Sequence, residues 1–140
     1  MKIHKLLSYV CCCILTCVLA SCMTVPKESD IPDSATPADL TQKAQEAFDA
    51  NNYRAAYAYY HIILKRFSSD EAVCVAAEYE IAHLHVKKRK WKEAQPLLEK
   101  IIAQYEGPSG IQLPPAYYKL AKIDYTRVTE KLGSKTKKNK

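Results

Sequence analysis

The feature that most constrains the fold is an internal repeat with a period of 38 residues. When the chain is shifted by that distance, small residues align with small ones and large residues with large ones. Each copy has the pattern of an amphipathic helix, a short polar turn and a second helix that opens on an aromatic residue. A period of this length is typical of helical hairpins stacked in tandem. The aligned pairs are Ala44 and Ala82, Tyr53 and Trp91, Ala56 and Ala94, Tyr60 and Leu98, Ile63 and Ile101, and Leu64 and Ile102.

Local signals place the ends of the first and third helices. Thr36 is the expected N-cap of the first helix, and Pro37 suits its first position because proline lacks an N–H group. The third helix is predicted from Asp70 to Val86, with Ser68 and Glu71 as a capping box at its start. The polar turns and the two copies of the repeat account for four helices.

A fifth helix is predicted after Pro114 and Pro115. Its apolar residues have helical spacing, and we expect it to end near Leu132 because Gly133 follows. Ala121 follows Ala82 by 39 positions, so this helix corresponds to the first half of a third repeat. We therefore predict an all-α domain over residues 37–132, followed by a basic disordered tail at residues 133–140.

The two copies resemble the tetratricopeptide repeat (TPR). Both have a small residue in the middle of the first helix, and Tyr53 and Trp91 supply the aromatic residue after the turn. Asn51 and Arg89 stand where the family has glycine, and the period exceeds the 34 residues of the family. The resemblance covers Ala38 to Tyr105 and implies a short TPR-like α-solenoid of about two and a half helical hairpins.

The amino terminus has the plan of a bacterial export signal. A basic start at residues 1–5 precedes an apolar run from Leu6 to Ala20. As a helix that run would extend about 22 Å, short of the ~30 Å hydrocarbon core, so a signal peptide over residues 1–21 is favoured over a permanent anchor. Residues 19–22 (Leu, Ala, Ser, Cys) resemble the lipobox of bacterial lipoproteins. The resemblance implies cleavage before Cys22 and its acylation by diacylglycerol and a fatty acid such as palmitate. An ordinary secretory signal that ends in a chance cysteine is the alternative.

Residues 22–36 have the composition of a flexible tether after the lipidated Cys22. They are rich in Thr, Pro, Lys, Glu, Ser and Asp and show no apolar periodicity. The resemblance to lipoproteins implies a membrane anchor through acyl chains in the bacterial cell envelope, with the domain facing the periplasm. Met23 stands where an aspartate retains some lipoproteins at the inner membrane, which favours the outer membrane.

The remaining sequence lacks the motifs of common enzyme classes. No Gly-rich phosphate loop, nucleophile elbow or paired-cysteine metal motif follows the export signal. Cys74 lies among apolar residues of a predicted helix and is expected to be a small buried hydrophobe. His83 and His85, like Glu78 and Glu80, are two residues apart on a helix, so each pair points about 200° apart and is unsuited to one metal ion or one acid–base pair. We expect no enzyme activity, metal or cofactor.

The net charge of +6 has two main sources outside the export signal. Basic residues crowd the turn at residues 87–92, and lysines fill the end of the chain at residues 135–140. Solvated surface is the favoured interpretation of both, with an anionic lipid surface as the alternative. Nucleic acid is not expected as a partner, because the aromatic residues have the spacing of a helical core rather than of a base-stacking platform.

The TPR resemblance implies that the first helix of each hairpin lines a groove for a partner. We expect aromatic side chains to anchor that partner and polar ones to select it. The positions carried over are Thr41, Gln45, Phe48, Asp49, Tyr79, His83, Val86, Tyr118, Lys122 and Tyr125.

These features predict a membrane-anchored lipoprotein that acts as a protein–protein interaction adaptor or scaffold in the cell envelope. Its partner would be another envelope protein or a peptide segment. Two alternatives remain open: a small-molecule-binding periplasmic accessory protein of a transporter, or a subunit of outer-membrane protein assembly. Two and a half repeats are close to the minimum for a stable array. A second copy of the chain, in a homo-oligomer, or a docked partner could therefore complete the hydrophobic core.

Overall fold

A computed structural model describes residues 24–108 and 110–138, with residues 135–138 described as backbone only. Over these residues the chain forms five α-helices and no strand, which confirms the predicted all-α class. The predicted signal peptide and Cys22 lie outside the described residues. The helices are α1 (Pro37–Asp49), α2 (Tyr53–Arg66), α3 (Glu71–Lys87), α4 (Trp91–Glu106) and α5 (Pro115–Lys138). None of them is both long and apolar enough to cross a membrane.

The turns that close the two hairpins have the same geometry. Asn51 and Arg89, 38 positions apart, both adopt positive φ angles, of 59° and 55°. In the first turn the N–H of Asn52 donates to the carbonyl of Ala47 at 2.8 Å, and in the second Lys90 donates to His85 at 2.9 Å. This six-to-one hydrogen bond around a left-handed residue satisfies carbonyls that a helix end leaves free.

Burial also repeats with the same offset. The four alanines of the repeat are fully buried, as are Ile63 and its counterpart Ile101. Tyr60 and Leu98, the paired large residues of the second helices, are also buried. Alanines at these positions allow neighbouring helices to approach closely, and the larger side chains fill the space between them. The alanines are Ala44, Ala56, Ala82 and Ala94.

Helix α3 belongs to two hydrophobic clusters. Each helix packs against the next one along the chain, and α3 also contacts α5. One cluster joins α1, α2 and α3, with Ala77, Ile81 and Leu84 from α3. The other joins α3, α4 and α5, with Val75, Tyr79, Ala82 and Val86 from α3. The sides of α3 are therefore covered by α2, α4 and α5, which leaves a narrow strip open toward α1.

One predicted helix cap and one predicted helix end are wrong. The side chain of Asp70, not of Ser68, caps α3 by accepting a hydrogen bond from the N–H of Val73 at 3.1 Å. The last helix continues past Gly133 to Lys138, where a disordered tail was predicted. A single glycine costs a helix only about 1 kcal/mol relative to alanine, so the good helix formers around Gly133 carry the helix through it.

The flexible tether predicted for residues 22–36 is wrong for its described part, residues 24–36, which we call the amino-terminal segment. This segment contains a short 3-10 turn at Glu28–Asp30 and lies against α2. Ile31 is only 8% exposed and belongs to the first hydrophobic cluster. The segment is therefore part of the folded domain.

The guanidinium group of Arg66, at the end of α2, holds the amino-terminal segment. It donates hydrogen bonds to the carbonyls of Pro32 (2.9 Å), Glu28 (3.0 Å) and Ile31 (2.9 Å). The planar guanidinium group carries donors on separate nitrogens and so reaches acceptors that are spaced apart, whereas the three donors of a lysine share one nitrogen. Lys65 adds an ion pair with the carboxylate of Glu28.

Replacing Arg66 should therefore release the amino-terminal segment. We expect Arg66→Ala to lower the free energy of unfolding by about 1–3 kcal/mol, because the half-buried hydrogen bonds to the carbonyls of Glu28 and Ile31 and the exposed one to Pro32 are lost. Hydrogen exchange measured residue by residue should show faster exchange in residues 28–35. The matched control is Arg54→Ala, which removes an exposed arginine from the other end of α2. Equal exchange in both variants would contradict this role of Arg66.

Two glycines should respond in opposite ways to alanine. A Cβ atom on Gly110 would lie 1.9 Å from the carbonyl oxygen of Tyr105, a backbone atom that cannot rotate away. A Cβ atom on Gly133 would meet nothing within 4 Å. We expect Gly110→Ala to destabilise the domain by more than about 2 kcal/mol and Gly133→Ala to stabilise α5 by up to about 1 kcal/mol. Thermal unfolding followed by circular dichroism measures both.

Candidate binding groove

A groove of about 330 Å³ runs between α1 and α3. Its walls include Thr41 and Gln45 from α1 and Glu80 from α3. Tyr60 of α2 lies at its base, and Tyr117 of α5 closes one side. Tyr117 also packs against Tyr79, with ring centroids 5.7 Å apart. The groove therefore combines aromatic rings with one carboxylate.

The groove exists because α3 keeps one strip uncovered. Ala76, Glu80 and His83 are spaced i, i+4 and i+7, so they lie along one line of the helix surface. All three are half-buried, whereas the flanking Ala77, Tyr79, Ile81 and Ala82 are buried in the two clusters. The carboxylate of Glu80 is thus presented to the groove by the packing of its neighbours.

A second carboxylate, on Asp124 of α5, is buried beneath this strip. Asp124 is 3% exposed and lies 2.6 Å from Nδ1 of His83. The hydroxyl of Tyr79 donates to the same carboxylate at 3.1 Å, and Arg127 donates at 3.4 Å. Burial alone would raise the pKa of Asp124, but these hydrogen bonds and positive charges lower it below the ordinary value. Asp124 is therefore a satisfied structural charge that ties α5 to α3.

Glu80 is in a different situation. Burial raises the pKa of its carboxyl group, and the charge of Asp124 raises it further, while His83 acts in the opposite direction. Among the described residues, no side chain donates a hydrogen bond to this carboxylate. A half-buried carboxylate without a donor favours a positively charged or hydrogen-bond-donating ligand.

The α1 residues predicted to line the groove divide into two groups. Thr41 and Gln45 lie in its wall, as expected from the first helix of a hairpin. Phe48 instead packs edge-on against Tyr53, with ring centroids 5.3 Å apart, and Lys87 lies over its ring. Asp49 is exposed at the end of the helix.

Two of the α3 residues predicted for the groove are core residues, which corrects the prediction. Tyr79 is 4% exposed and Val86 is 3% exposed, and both pack in the second hydrophobic cluster. The sequence argument failed here because α5 covers this side of α3. His83 does reach the edge of the groove, but its ring is engaged by Asp124.

The three α5 residues predicted for the groove face α4 instead. The hydroxyl of Tyr118 donates to Glu106 at 3.1 Å, and that of Tyr125 donates to Glu99 at 3.0 Å. Lys122 lies with its ammonium group 5.0 Å from the centre of the Tyr118 ring. These contacts join α4 and α5 on the side away from the groove.

Sequence reasoning missed Tyr60, Glu80, Tyr117 and Asp124 as site residues. The detectable signal was Asp124, which lies between Ala121 and Val128 on the buried stripe of α5. A carboxylate on an apolar stripe requires a buried partner, which points to a polar contact between helices. Tyr117 follows Tyr79 by 38 positions, the period of the repeat. The predicted groove residues on α5 follow those on α3 by 39 positions, so the prediction selects Tyr118 in place of Tyr117.

The other chemistry-bearing side chains lie away from the groove. His83 and His85 point in different directions as expected, since His85 packs against the ring of Tyr57. Burial lowers the pKa of His85, which favours the neutral imidazole, and raises the pKa of the Cys74 thiol, which favours the protonated thiol. Within the described residues no three His, Cys, Asp or Glu side chains are grouped as metal ligands.

Comparison with known proteins gives one relative of undefined activity. The chain is 43% identical over 122 residues to a protein of Treponema pallidum (strain Nichols) that is named only as an uncharacterized protein. The match covers 87% of this chain and 49% of the relative, so the chain spans about half of the relative's length. No family model matches the chain, and no solved structure matches it. A match of this length exceeds the five helices, so it extends into the residues before α1.

The pH dependence of folding should report the Asp124 contact. Because the folded-state pKa is lowered, this carboxylate contributes stability above its unfolded pKa of about 3.9, and the contribution is lost as the pH falls through the folded value. We expect Asp124→Asn to cost about 1–3 kcal/mol at neutral pH. The difference from the unchanged chain should shrink as the solution is acidified below about pH 4. Denaturant unfolding at neutral pH and below about pH 4 measures this difference in the free energy of unfolding. The control is Asp49→Asn, which changes an exposed aspartate.

Proposed function

We propose that this chain is a membrane-anchored adaptor of the bacterial cell envelope with a TPR-like helical domain. Its groove binds a segment of another protein that presents a lysine or arginine side chain. The lipidated residue in this proposal is Cys22, and the domain faces the periplasm. The observation that carries the proposal is the half-buried carboxylate of Glu80 among the aromatic side chains of the groove.

The TPR-like part of the proposal is supported by the equivalence of the two hairpins. They repeat the same turn, the same positive-φ position and the same buried residues with an offset of 38 positions. Helix α5 packs on α3 as the first helix of a third repeat would. In such arrays the surface left by the first helices is the usual binding surface.

The choice of a basic ligand follows from the chemistry of the groove. The charge of Glu80 is penalised by burial, so a cation that enters the groove relieves this penalty and forms a charge-assisted hydrogen bond. The half-buried ring of Tyr117 lines the same groove above the buried Tyr60, so aromatic surface lies near the carboxylate for a cation or its aliphatic stem. Gln45 and Thr41 on the opposite wall supply polar groups for a backbone.

The groove can be tested by photo-crosslinking in native membranes. A photoreactive residue at Gln45 should give a specific adduct with a partner, because Gln45 lines the groove. The matched control is the same probe at Lys43, two positions away on α1 and therefore on another face of the helix. Identical adducts from both positions would contradict the proposal. Mass spectrometry of the adduct identifies the partner, including a transporter component or an assembly subunit.

Glu80→Gln should weaken this adduct without harming the fold. Because the folded-state pKa of Glu80 is raised, its charge costs stability once the pH exceeds the unfolded value of about 4.3, and the neutral amide removes that cost at neutral pH. We therefore expect an unchanged or higher midpoint of thermal unfolding and about a tenfold weaker interaction. Glu80→Lys should abolish the adduct. An undiminished adduct in Glu80→Lys would exclude Glu80 as the recognition group.

A further inference from the structure

One edge of the domain carries both the start of the amino-terminal segment and the hairpin turns. The side-chain amide of Asn52, in the α1–α2 turn, donates to the carbonyl of Thr24 at 3.1 Å. The α3–α4 turn lies beside it, since Nζ of Lys88 is 3.7 Å from the centre of the Tyr53 ring. We call this side, formed by residues 50–54 and 87–92, the turn edge.

The turn edge is strongly basic. Five cationic side chains in the α3–α4 turn are exposed, and only Glu93 follows them closely as an acidic residue. Cation–π contacts hold Lys87 and Lys88 against aromatic rings of the first hairpin, so these charges have defined positions. The five residues are Lys87, Lys88, Arg89, Lys90 and Lys92.

The end of α5 extends toward the same side. The contacts of Tyr117 with Tyr79 and of Asp124 with His83 show that α5 runs parallel to α3. Lys87 follows His83 by four positions, whereas α5 continues to Lys138 beyond Asp124. The helix therefore reaches about 15 Å past the level of the α3–α4 turn, so its last turns and the basic turn meet one flat surface only when α5 is inclined to that surface. Its final turns contain further lysines in the sequence.

The opposite edge of the domain has the reverse charge. It contains the amino ends of α1 and α3 and the carboxyl ends of α2 and α4. The two cations at the end of α2, Lys65 and Arg66, both pair with Glu28, and acidic residues outnumber them at this edge. The acidic residues at these positions are Asp39, Asp70, Glu71 and Glu106. The charge is thus distributed along the helix direction, with the positive end at the turn edge.

We propose that the turn edge faces the lipid bilayer and binds its anionic head groups. The inference rests on the proposed function for the acyl anchor at Cys22. Thr24 follows Cys22 by two positions, and two residues span at most about 7 Å. Because Asn52 and Arg66 hold the amino-terminal segment on the domain, the anchor delivers the turn edge to the head groups. Each basic residue at an anionic surface strengthens binding by about fivefold.

Trp91 provides a probe of this orientation. It is the single tryptophan of the chain and directly follows the basic turn. In the acylated chain reconstituted into phosphatidylcholine–phosphatidylglycerol vesicles, a quencher attached to lipid head groups should quench Trp91 strongly. The control carries Trp91→Phe and Phe67→Trp, which moves the probe to the end of α2 at the opposite edge. Equal quenching of the two proteins, or stronger quenching of the control, would overturn the proposal.

A second measurement tests the charges without the anchor. The chain from residue 22 onward, produced without its signal sequence and therefore without acyl groups, is titrated with vesicles that contain phosphatidylglycerol. Removing three turn charges should weaken binding roughly 100-fold, whereas removing three exposed lysines elsewhere should change it less than about threefold. Equal losses from both triple variants, or no binding by the unchanged chain, would overturn the proposal. The turn variant is Lys87→Gln, Lys90→Gln and Lys92→Gln, and the control is Lys43→Gln, Lys119→Gln and Lys122→Gln.

Failure of this proposal is distinguishable from failure of the proposed function. Glu80→Lys should remove the groove adduct and leave the quenching of Trp91 unchanged. The triple turn variant should keep the groove adduct and lose vesicle binding. If Cys22 is not acylated in cells, the unacylated chain still reports whether the turn edge binds anionic lipid.

Discussion

The central position of α3 is the constraint on which the rest of the structure depends. Its residues are divided between two hydrophobic clusters, one with α1 and α2 and the other with α4 and α5. Neither hairpin has a complete core without this helix, so the two repeats fold as one unit. The same packing leaves the strip of Ala76, Glu80 and His83 half-buried on the side of α3 that faces α1. Core formation and presentation of the groove are therefore two results of one arrangement.

Two carboxylates near this strip show how environment separates a structural charge from a binding charge. Asp124 is more deeply buried, but Tyr79, His83 and Arg127 satisfy it and lower its pKa. Glu80 is less buried, yet its pKa is raised because burial is not offset by donors. Removing a charge that has buried partners damages the fold, whereas the burial penalty on a carboxylate without a protein donor is reduced when a cation binds it.

The sequence allowed the helices to be predicted better than their exposed faces. The 38-residue offset identified the buried alanines because helix packing depends on residue size at fixed spacing. The offset did not predict the exposure of Tyr79 and Tyr118, because the exposed side of a helix depends on the helix that packs next to it. Helix α5 covers the side of α3 that carries Tyr79. The side of α5 that carries Tyr118 faces α4. The docked amino-terminal segment was missed for a different reason: Arg66 binds main-chain carbonyls, and no pattern of side chains reveals that partner.

The docking of the amino-terminal segment changes what a lipid anchor at Cys22 would do. A flexible tether of residues 22–36 would allow a domain to turn freely at some distance from the bilayer. With residues 24–36 held by Arg66, such an anchor would instead select which edge of the domain meets the head groups. The groove lies between α1 and α3 and follows their axes, so an orientation with the turn edge on the bilayer directs the groove away from the membrane. A partner segment bound in the groove would then lie near the acidic edge, because the amino-terminal halves of α1 and α3 line the groove, and its remaining basic groups would find complementary charge there.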